Sequence, residues 1–242
     1  MRVLVTCLTE KGAEDLRSKT SDRLVTVIFD VTKIESIVAV TQWVKERVGN
    51  RGLWGLVNNA GISIPSTLNE FLKKEHFAKI LDVNLLGMIE LVASPHHRLS
   101  LSCDCALVLS DLTESPLKSL TSLSCRRELS YFGVKVAIIE PGFFQTAISS
   151  SDSHVSHNKM LWDQASSEVK EIYDEKFLSS YERRIKLLDK LSNTDLSLVT
   201  DCMELALTSR HPRIRYSAGW DAKLFYIPVS YLPTRLADVF LF

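Results

Sequence analysis

The 242 residues, 45% apolar and 24% charged, fit one globular domain with a sizeable core and argue against disorder or a fibre. Twenty-nine basic and 29 acidic side chains cancel, so no field is built for nucleic acid or an anionic membrane surface, and small neutral ligands become the favoured partners. The five cysteines are scattered and never spaced C-x-x-C, which suits reduced thiols better than a disulfide framework or a zinc site, and no run approaches the ~18 to 20 apolar residues of a membrane span.

Met1 is followed at once by "RVLVTCL" (Arg2 to Leu8), β-branched and apolar, which reads as a buried strand rather than a signal segment. "TEKGAEDLRSKT" reads as a short amphipathic helix, and "RLVTVIFDVT" as a second strand ending at Asp30. "KIESIVAVTQWVKERVGNRG" sets Ile34, Ile37, Val38, Val40, Val44 and Val48 largely on one helical face before the turn residues Gly49 and Asn50. "LWGLVNNAG" is a third strand running into Asn58, Asn59 and Gly61, and a long helix is expected from Lys73 to Leu91. "VKVAIIEPG" gives a further strand capped by Pro141 and Gly142. Strands alternating with helices predict a doubly wound, parallel α/β domain. Residues 1–150 would form its dinucleotide-binding core, and 151–242 a helical extension of the same domain in which Ile172, Phe177, Tyr181, Ile185 and Leu188 face inward on a charged helix.

One stretch breaks the pattern. Of the 32 residues from Ser94 to Cys125, eight are Ser, eight are Leu and three are Cys, and no glycine occurs between Gly87 and Gly133. "CALVLS" suggests a strand there and "SPLKSLTSLSCRRELS" a helix.

Asn59-Ala60-Gly61 after an apolar strand, with "FDVT" (Asp30 to Thr32), "VNLLG" (Val83 to Gly87) and "IIEPGFFQTAI" in the expected order, resembles the short-chain dehydrogenase/reductase family. "GLWGLVNNAGIS", "RRELSYFGVKVAIIEPG" and "RYSAGWDAKLFYIPVSYLPT" resemble its microsomal retinol and 17β-/3α-hydroxysteroid dehydrogenase branch. The resemblance implies a Rossmann-like fold, hydride transfer between NAD (or NADP) and a hydrophobic alcohol such as retinol or a hydroxysteroid, homo- or heterodimers with relatives, and attachment to the endoplasmic reticulum membrane, or a cytoplasmic location if a missing N-terminal segment is the anchor. It places Asp30 and Val31 at the adenine, Asn59, Ala60 and Gly61 where backbone approaches the cofactor, Pro141 and Gly142 at the nicotinamide amide, and Thr146 at the carboxamide or phosphates. Asn84 matches the family asparagine that holds a water in the proton relay. Local readings stand beside these: Asp30 as a helix N-cap with Thr32, Asn58 and Asn59 as turn chemistry.

The resemblance also marks what is missing. The family's first strand and Gly-rich turn have no counterpart, the first glycine being Gly12, so the sheet is expected to be incomplete at its centre. Unpaired buried backbone groups cost about 1 to 3 kcal/mol each against a net stability of roughly 5 to 15 kcal/mol. The family's Tyr-x-x-x-Lys helix should fall in the stretch at about 94–125, which contains no tyrosine; a frameshifted or misspliced segment would produce that pattern. Ser110 stands where a catalytic serine would end a strand, or is ordinary loop chemistry. Tyr131 and Lys135 imitate the pair, but Gly133 between them reads as a helix stop, so both are expected to be structural, with Tyr131 and Phe132 packed beside a turn. Three outcomes follow: a hydrophobic-alcohol oxidoreductase, a catalytically inactive truncated paralogue that at most associates with full-length relatives, or an unstable product with no activity. His154 and His157 read as solvated surface.

Overall fold

A computed structural model describes residues 2–63, 69–93, 101–110, 124–173 and 175–241, without the side chains of 69, 93, 101–110, 175 and 238–241. β1 (Val3–Cys7) leads into α1 (Glu10–Lys19), whose first turn is closed by Thr9 Oγ1 accepting the Gly12 amide at 3.2 Å. β2 (Leu24–Ile28) follows, then α2 (Ile34–Val48), stopped by Gly49 at φ 55°, and β3 (Leu53–Asn58). The next helical stretch is α3 (Lys74–Leu81) and α4 (Gly87–Ala93). β4 (Leu101–Ser110), α5 (124–130) and β5 (Lys135–Pro141) complete the first half. The second half is α6 (Ser151–Gln164), α7 (Ser167–Ile172), α8 (Glu175–Leu191), α9 (Ser197–Thr208), β6 (Arg215–Ala218), α10 (Ile227–Ser230) and α11 (Thr234–Leu241).

Among the described residues all strand pairs are parallel, as the alternation of strands and helices predicts, but the strands form two sheets. β1 pairs with β2 from Val3↔Leu24 to Cys7↔Ile28, and a four-stranded sheet runs in the order β3-β4-β5-β6. β5 shows how the larger sheet is covered. Val136 packs with Met88 of α4, Val134 and Leu129 on one face, while Ala137 and Ile139 meet Val199, Met203 and Ala206 of α9 on the other. A third cluster, Phe29, Val31, Ile37, Val40 and Leu91, ties the chain after β2 to α2 and α4. This cluster, not a strand ladder, joins the small sheet to the rest. Burying an aliphatic side chain such as Ile37 or Ile139 contributes about 1.5 to 3 kcal/mol, so the join is apolar and compact.

Gly87 is needed at that join: a Cβ there would stand 2.6 Å from both the Val31 carbonyl oxygen and a Val31 methyl. The helix expected over 73–91 is interrupted just before it by a π turn, Asp82–Leu86, closed by the Gly87 amide donating to the Asp82 carbonyl. The extra residue turns Asn84 inward while Gly87 meets Val31, two contacts an unbroken α-helix would not serve together.

Other expectations need correction. The charged helix read as one piece is two, since Tyr173 leaves the helical path after α7. α6 and β6 were not expected as elements. β2 stops two residues before Asp30, because the Asp30 amide turns away to donate to Ser36 Oγ at 2.9 Å. Tyr131 is not packed: it stands on the turn after α5, 90% exposed, and Phe132 beside it is 55% exposed. Of the helix read over 115–130, residues 115–123 lie outside the described residues.

Candidate functional site

The carboxyl ends of the strands open on one cavity of about 3220 Å³ between the two sheets. Asp30, Val31 and Thr32 line it from the small sheet, Asn58 to Ser63 from the end of β3, and Pro141, Gly142 and Thr146 from the end of β5. Ligands of open α/β sheets bind outside these strand ends.

Asp30 is shaped by its own turn. Its Oδ1 accepts from the Thr32 hydroxyl at 2.7 Å and the Thr32 amide at 3.1 Å. The hydroxyl first, then the amide, hold its carboxyl below the ordinary 3.8; partial burial opposes them, and Lys33, 3.5 Å away, assists. The carboxylate therefore caps a turn, not a helix, since the residue opening α2 is Lys33.

Asn84 acts on the cavity wall through Ile62. Its Oδ1 accepts the Ile62 amide at 2.8 Å and its Nδ2 donates to the Ile62 carbonyl at 2.8 Å. Buried in the π turn, Asn84 fixes the strand-to-loop exit that carries Asn59, Ala60 and Gly61, and it does not itself line the cavity.

The Pro141–Gly142 corner is held by Asp221, a residue that sequence reasoning missed. The Gly142 amide donates to the Ala218 carbonyl at 2.8 Å, and the next amide, of Phe143, donates to Asp221 Oδ2 at 2.5 Å. Gly219, at φ +95°, makes the bend that brings Asp221 there. Beyond the corner, Thr146 and Ser149 form a small hydroxyl network: Ser149 Oγ accepts the Thr146 amide at 2.9 Å and donates to the Phe144 carbonyl at 2.6 Å.

The second half supplies an apolar side. Phe177, Tyr181, Ile185 and Leu188 of α8 line the cavity, while Ile172, also read as inward, is exposed. Rings continue outward from Tyr181 through Phe177, Tyr173 and Phe71, with centroids 5.1 to 6.3 Å apart. Burial pushes the Tyr181 phenol above its ordinary 10.0, against a smaller opposing effect of Arg184. His154 of α6 also lines the cavity, contrary to the surface reading, and burial, then the charge of His157, lowers its pKa. Beside it on α6, Asn158 is 2% exposed with neither side-chain amide atom bonded among the described residues.

Tyr131 and Lys135 are not brought together at the cavity. Gly133 at φ 74° ends the helical turn between them, and Lys135 Nζ donates to the Arg210 carbonyl at 3.1 Å. Ser110 ends β4 opposite Ile139, one residue beyond the Leu109–Asn58 pair; its side chain lies outside the described residues.

These residues fit the two ends of a dinucleotide. Asp30 and Val31 offer a polar and an apolar contact at one end, and the Pro141 corner with Thr146 offers main-chain carbonyl and hydroxyl groups at the other, the Gly142, Phe143 and Thr146 amides being bonded within the fold. The middle is less provided for: among the described residues no Gly-rich turn at a helix N-terminus lines the cavity, and the Gly12 amide is taken by Thr9.

The family model described as short chain dehydrogenase matches residues 1–99, ending inside the Ser/Leu/Cys-rich stretch. Retinol dehydrogenase 16 of Mus musculus is 61% identical over 259 residues, covering 100% of this chain and 80% of that protein. The 17-beta-hydroxysteroid dehydrogenase type 6 of Homo sapiens is 47% identical, with the same coverage of 100% and 80%. Among solved structures, a short-chain dehydrogenase from Streptomyces avermitilis superposes with a TM-score of 0.65 at 20% identity, covering 98% of this chain and 84% of that one. A short chain dehydrogenase from Burkholderia cenocepacia J2315, solved in complex with NADP, gives 0.66 at 15% identity, covering 100% and 86%.

Proposed function

The chain belongs to the short-chain dehydrogenase family, in the branch of retinol dehydrogenases 16 and 7 and 17-beta-hydroxysteroid dehydrogenase type 6, and on that premise we propose that its cavity binds a nicotinamide dinucleotide beside a hydrophobic alcohol, retinol or a hydroxysteroid. The observation carrying this reading is the convergence of Asp30, the Asn59–Gly61 loop and the Pro141–Gly142 corner on one cavity whose remaining wall is the apolar face of α8. NAD is the dinucleotide proposed, from the branch. When bound, its nicotinamide accepts the hydride of the alcohol. Asp30 accepts from the adenine end, Gly61 lets backbone come close, the Pro141 corner presents main-chain groups to the carboxamide, and Phe177, Ile185 and Leu188 exclude water from the alcohol.

A second reading, binding without turnover, is favoured by one observation. An alcohol gives up a proton as its hydride leaves, and an acceptor near neutrality needs a lowered pKa. The sequence holds six tyrosines; Tyr131 points to solvent, and of Tyr181 and Tyr226, which both line the cavity, neither is followed four residues on by a lysine, and Tyr181 has its pKa raised.

The test is made on the purified full chain: thermal unfolding with NAD, with NADP and with retinol or an androgen alcohol, followed by NADH fluorescence. Stabilisation by nucleotide with turnover supports the oxidoreductase. Stabilisation without turnover supports the inactive binder. No stabilisation by either nucleotide overturns both. Among the described residues no helix is long and apolar enough to cross a membrane; association with the endoplasmic reticulum membrane is proposed from the branch, and fractionation of the tagged chain tests it.

A further inference from the structure

The face of α8 that lines the cavity is not apolar to its end. Tyr181, Ile185 and Leu188 are followed on the same face by Asp189, four residues after Ile185, and it too lines the cavity. Opposite stands α6, which packs against α8 and brings His154 to the cavity wall. The His154 ring donates to the Ile148 carbonyl and feels the charge of Asp189. Asn158 lies one helical turn farther along the same face of α6, behind the wall and 2% exposed. The three side chains form a polar seam between the helices, with His154 and Asp189 at its mouth and Asn158 at its floor.

Among the described residues, Asp189 Oδ1 and both side-chain amide atoms of Asn158 are buried with no hydrogen-bond partner. Buried polar groups are almost always bonded, and each one left unmade lowers stability. Such atoms gathered at the edge of a ligand cavity point to partners that a ligand brings. Their chemistry selects the partner: a carboxylate oxygen accepts, and a carboxamide nitrogen donates. A hydroxyl group answers both, since it donates one hydrogen bond and accepts others. A carbonyl or ether oxygen has no proton to give and leaves Asp189 unmade.

We propose that the α6–α8 seam is the subsite that recognises the hydroxyl group of the hydrophobic ligand, with Asp189 Oδ1 accepting from it and the Asn158 side-chain amide donating to it. This rests on the reading of the cavity as a hydrophobic-alcohol site, and needs neither nucleotide nor turnover. The consequence is specificity: an alcohol is held in preference to the carbonyl compound or ether of the same skeleton. A site built to hydrogen-bond a hydroxyl rejects the analogue lacking it far more strongly than an apolar pocket separates ligands by size.

The test uses the full chain without nucleotide. Retinol binding is read by the ligand's own fluorescence and compared with retinyl methyl ether, which keeps the polyene and the oxygen and lacks the O–H. The expected result is saturable binding of retinol at least about tenfold tighter than of the ether. In Asp189→Leu and Asn158→Leu that preference should shrink to within about twofold. The ligand-free Tm of Asn158→Leu should hold or rise, because leucine keeps the volume and removes two unmade groups. A preference that survives in both variants would mean that the added methyl is sensed instead of the lost O–H, and would overturn the proposal. A lower Tm for Asn158→Leu would do the same, by showing its amide bonded within the fold. Equal affinity for retinol and the ether in the parent chain overturns the subsite and leaves the apolar cavity reading standing. Absence of saturable retinol binding sinks the subsite as well, and thermal stabilisation by nucleotide then decides separately whether the dinucleotide reading survives.

Discussion

Asp221 and Gly142 fit together so closely that a single methyl group separates accommodation from collision. Added at Gly142, a Cβ would lie 2.1 Å from Asp221 Oδ1 and 2.3 Å from its carboxyl carbon. The carboxylate cannot retreat without giving up the Phe143 amide at 2.5 Å. Gly142→Ala is therefore expected to destabilise by about 0.5 to 1.5 kcal/mol, the net contribution of one hydrogen bond, and Asp221→Ala by a similar amount. The two should not add: with the carboxylate gone, the alanine meets open space. A double-mutant cycle by urea unfolding measures this, and additive effects would show that the contact does not exist in solution.

Asn84→Ala removes both hydrogen bonds to Ile62 and leaves the backbone amide and carbonyl of that residue without the partners they now have. A loss of about 1 to 3 kcal/mol is expected, with weaker nucleotide stabilisation because the Asn59–Gly61 exit loosens. Asn84→Asp keeps the acceptor and loses the donor, so it should fall between. A urea midpoint for Asn84→Ala within ~0.5 kcal/mol of the parent, the range of an ordinary surface change, would refute the clamp.

His154 links stability to pH. Its pKa is lowered from 6.5 chiefly by burial and then by His157, with the Ile148 carbonyl and Asp189 opposing. A depressed folded pKa means that the unfolded chain takes up its proton first. The contribution is complete above the unfolded value and is lost as pH falls through 6.5 towards the lower folded value. His154→Gln should therefore flatten the decline in Tm on acidification from about pH 7 to pH 5. An unchanged profile would place the titration elsewhere.

Tyr131 contributes no proton chemistry on this structure. Tyr131→Phe and Tyr131→Ala are expected to leave nucleotide binding unchanged and stability within ~0.5 kcal/mol, as for exposed side chains without partners in the fold. A selective loss of turnover in Tyr131→Phe would bring the Tyr131–Lys135 pair back into the chemistry.

Elements with a strong local period were legible before any coordinates. β1, β3 and β5 fall within the apolar runs that announce them, and α2 buries Ile37, Val40 and Val44 from its predicted face. What escaped has no local period. α6 is mostly polar, with Val155, Met160, Leu161 and Trp162 at no clear helical period, and its buried positions are Asn158 and Leu161; β6 is four residues long and begins with an arginine. The separation of the sheets could be expected only from the resemblance, because strand pairing is decided by residues far apart. Asp221 illustrates the same limit for the site: nothing in "GWDAK" shows that its carboxylate will meet an amide 78 residues earlier. The α8 face was readable because Phe177, Tyr181, Ile185 and Leu188 recur at helical spacing. Its interruption near Tyr173 was not, since neither proline nor glycine marks it.

The division of the sheet has a consequence for how the molecule opens. Among the described residues β1 and β2 exchange ladder bonds only with each other, extended by Phe29 donating to Cys7 and Val3 donating to Arg23, while β3 to β6 form a ladder of their own. Releasing the β1-α1-β2 unit breaks the Phe29–Val31–Leu91 cluster but no hydrogen bond of the larger sheet. Such a unit behaves as a separate foldon, whose amides exchange through a partial opening below the global unfolding free energy. Denaturation should then pass through a state in which the β3–β6 half is still native, so two cooperative transitions, with β1 and β2 melting first, are the thermodynamic signature of a protein folded as two lobes on one apolar hinge.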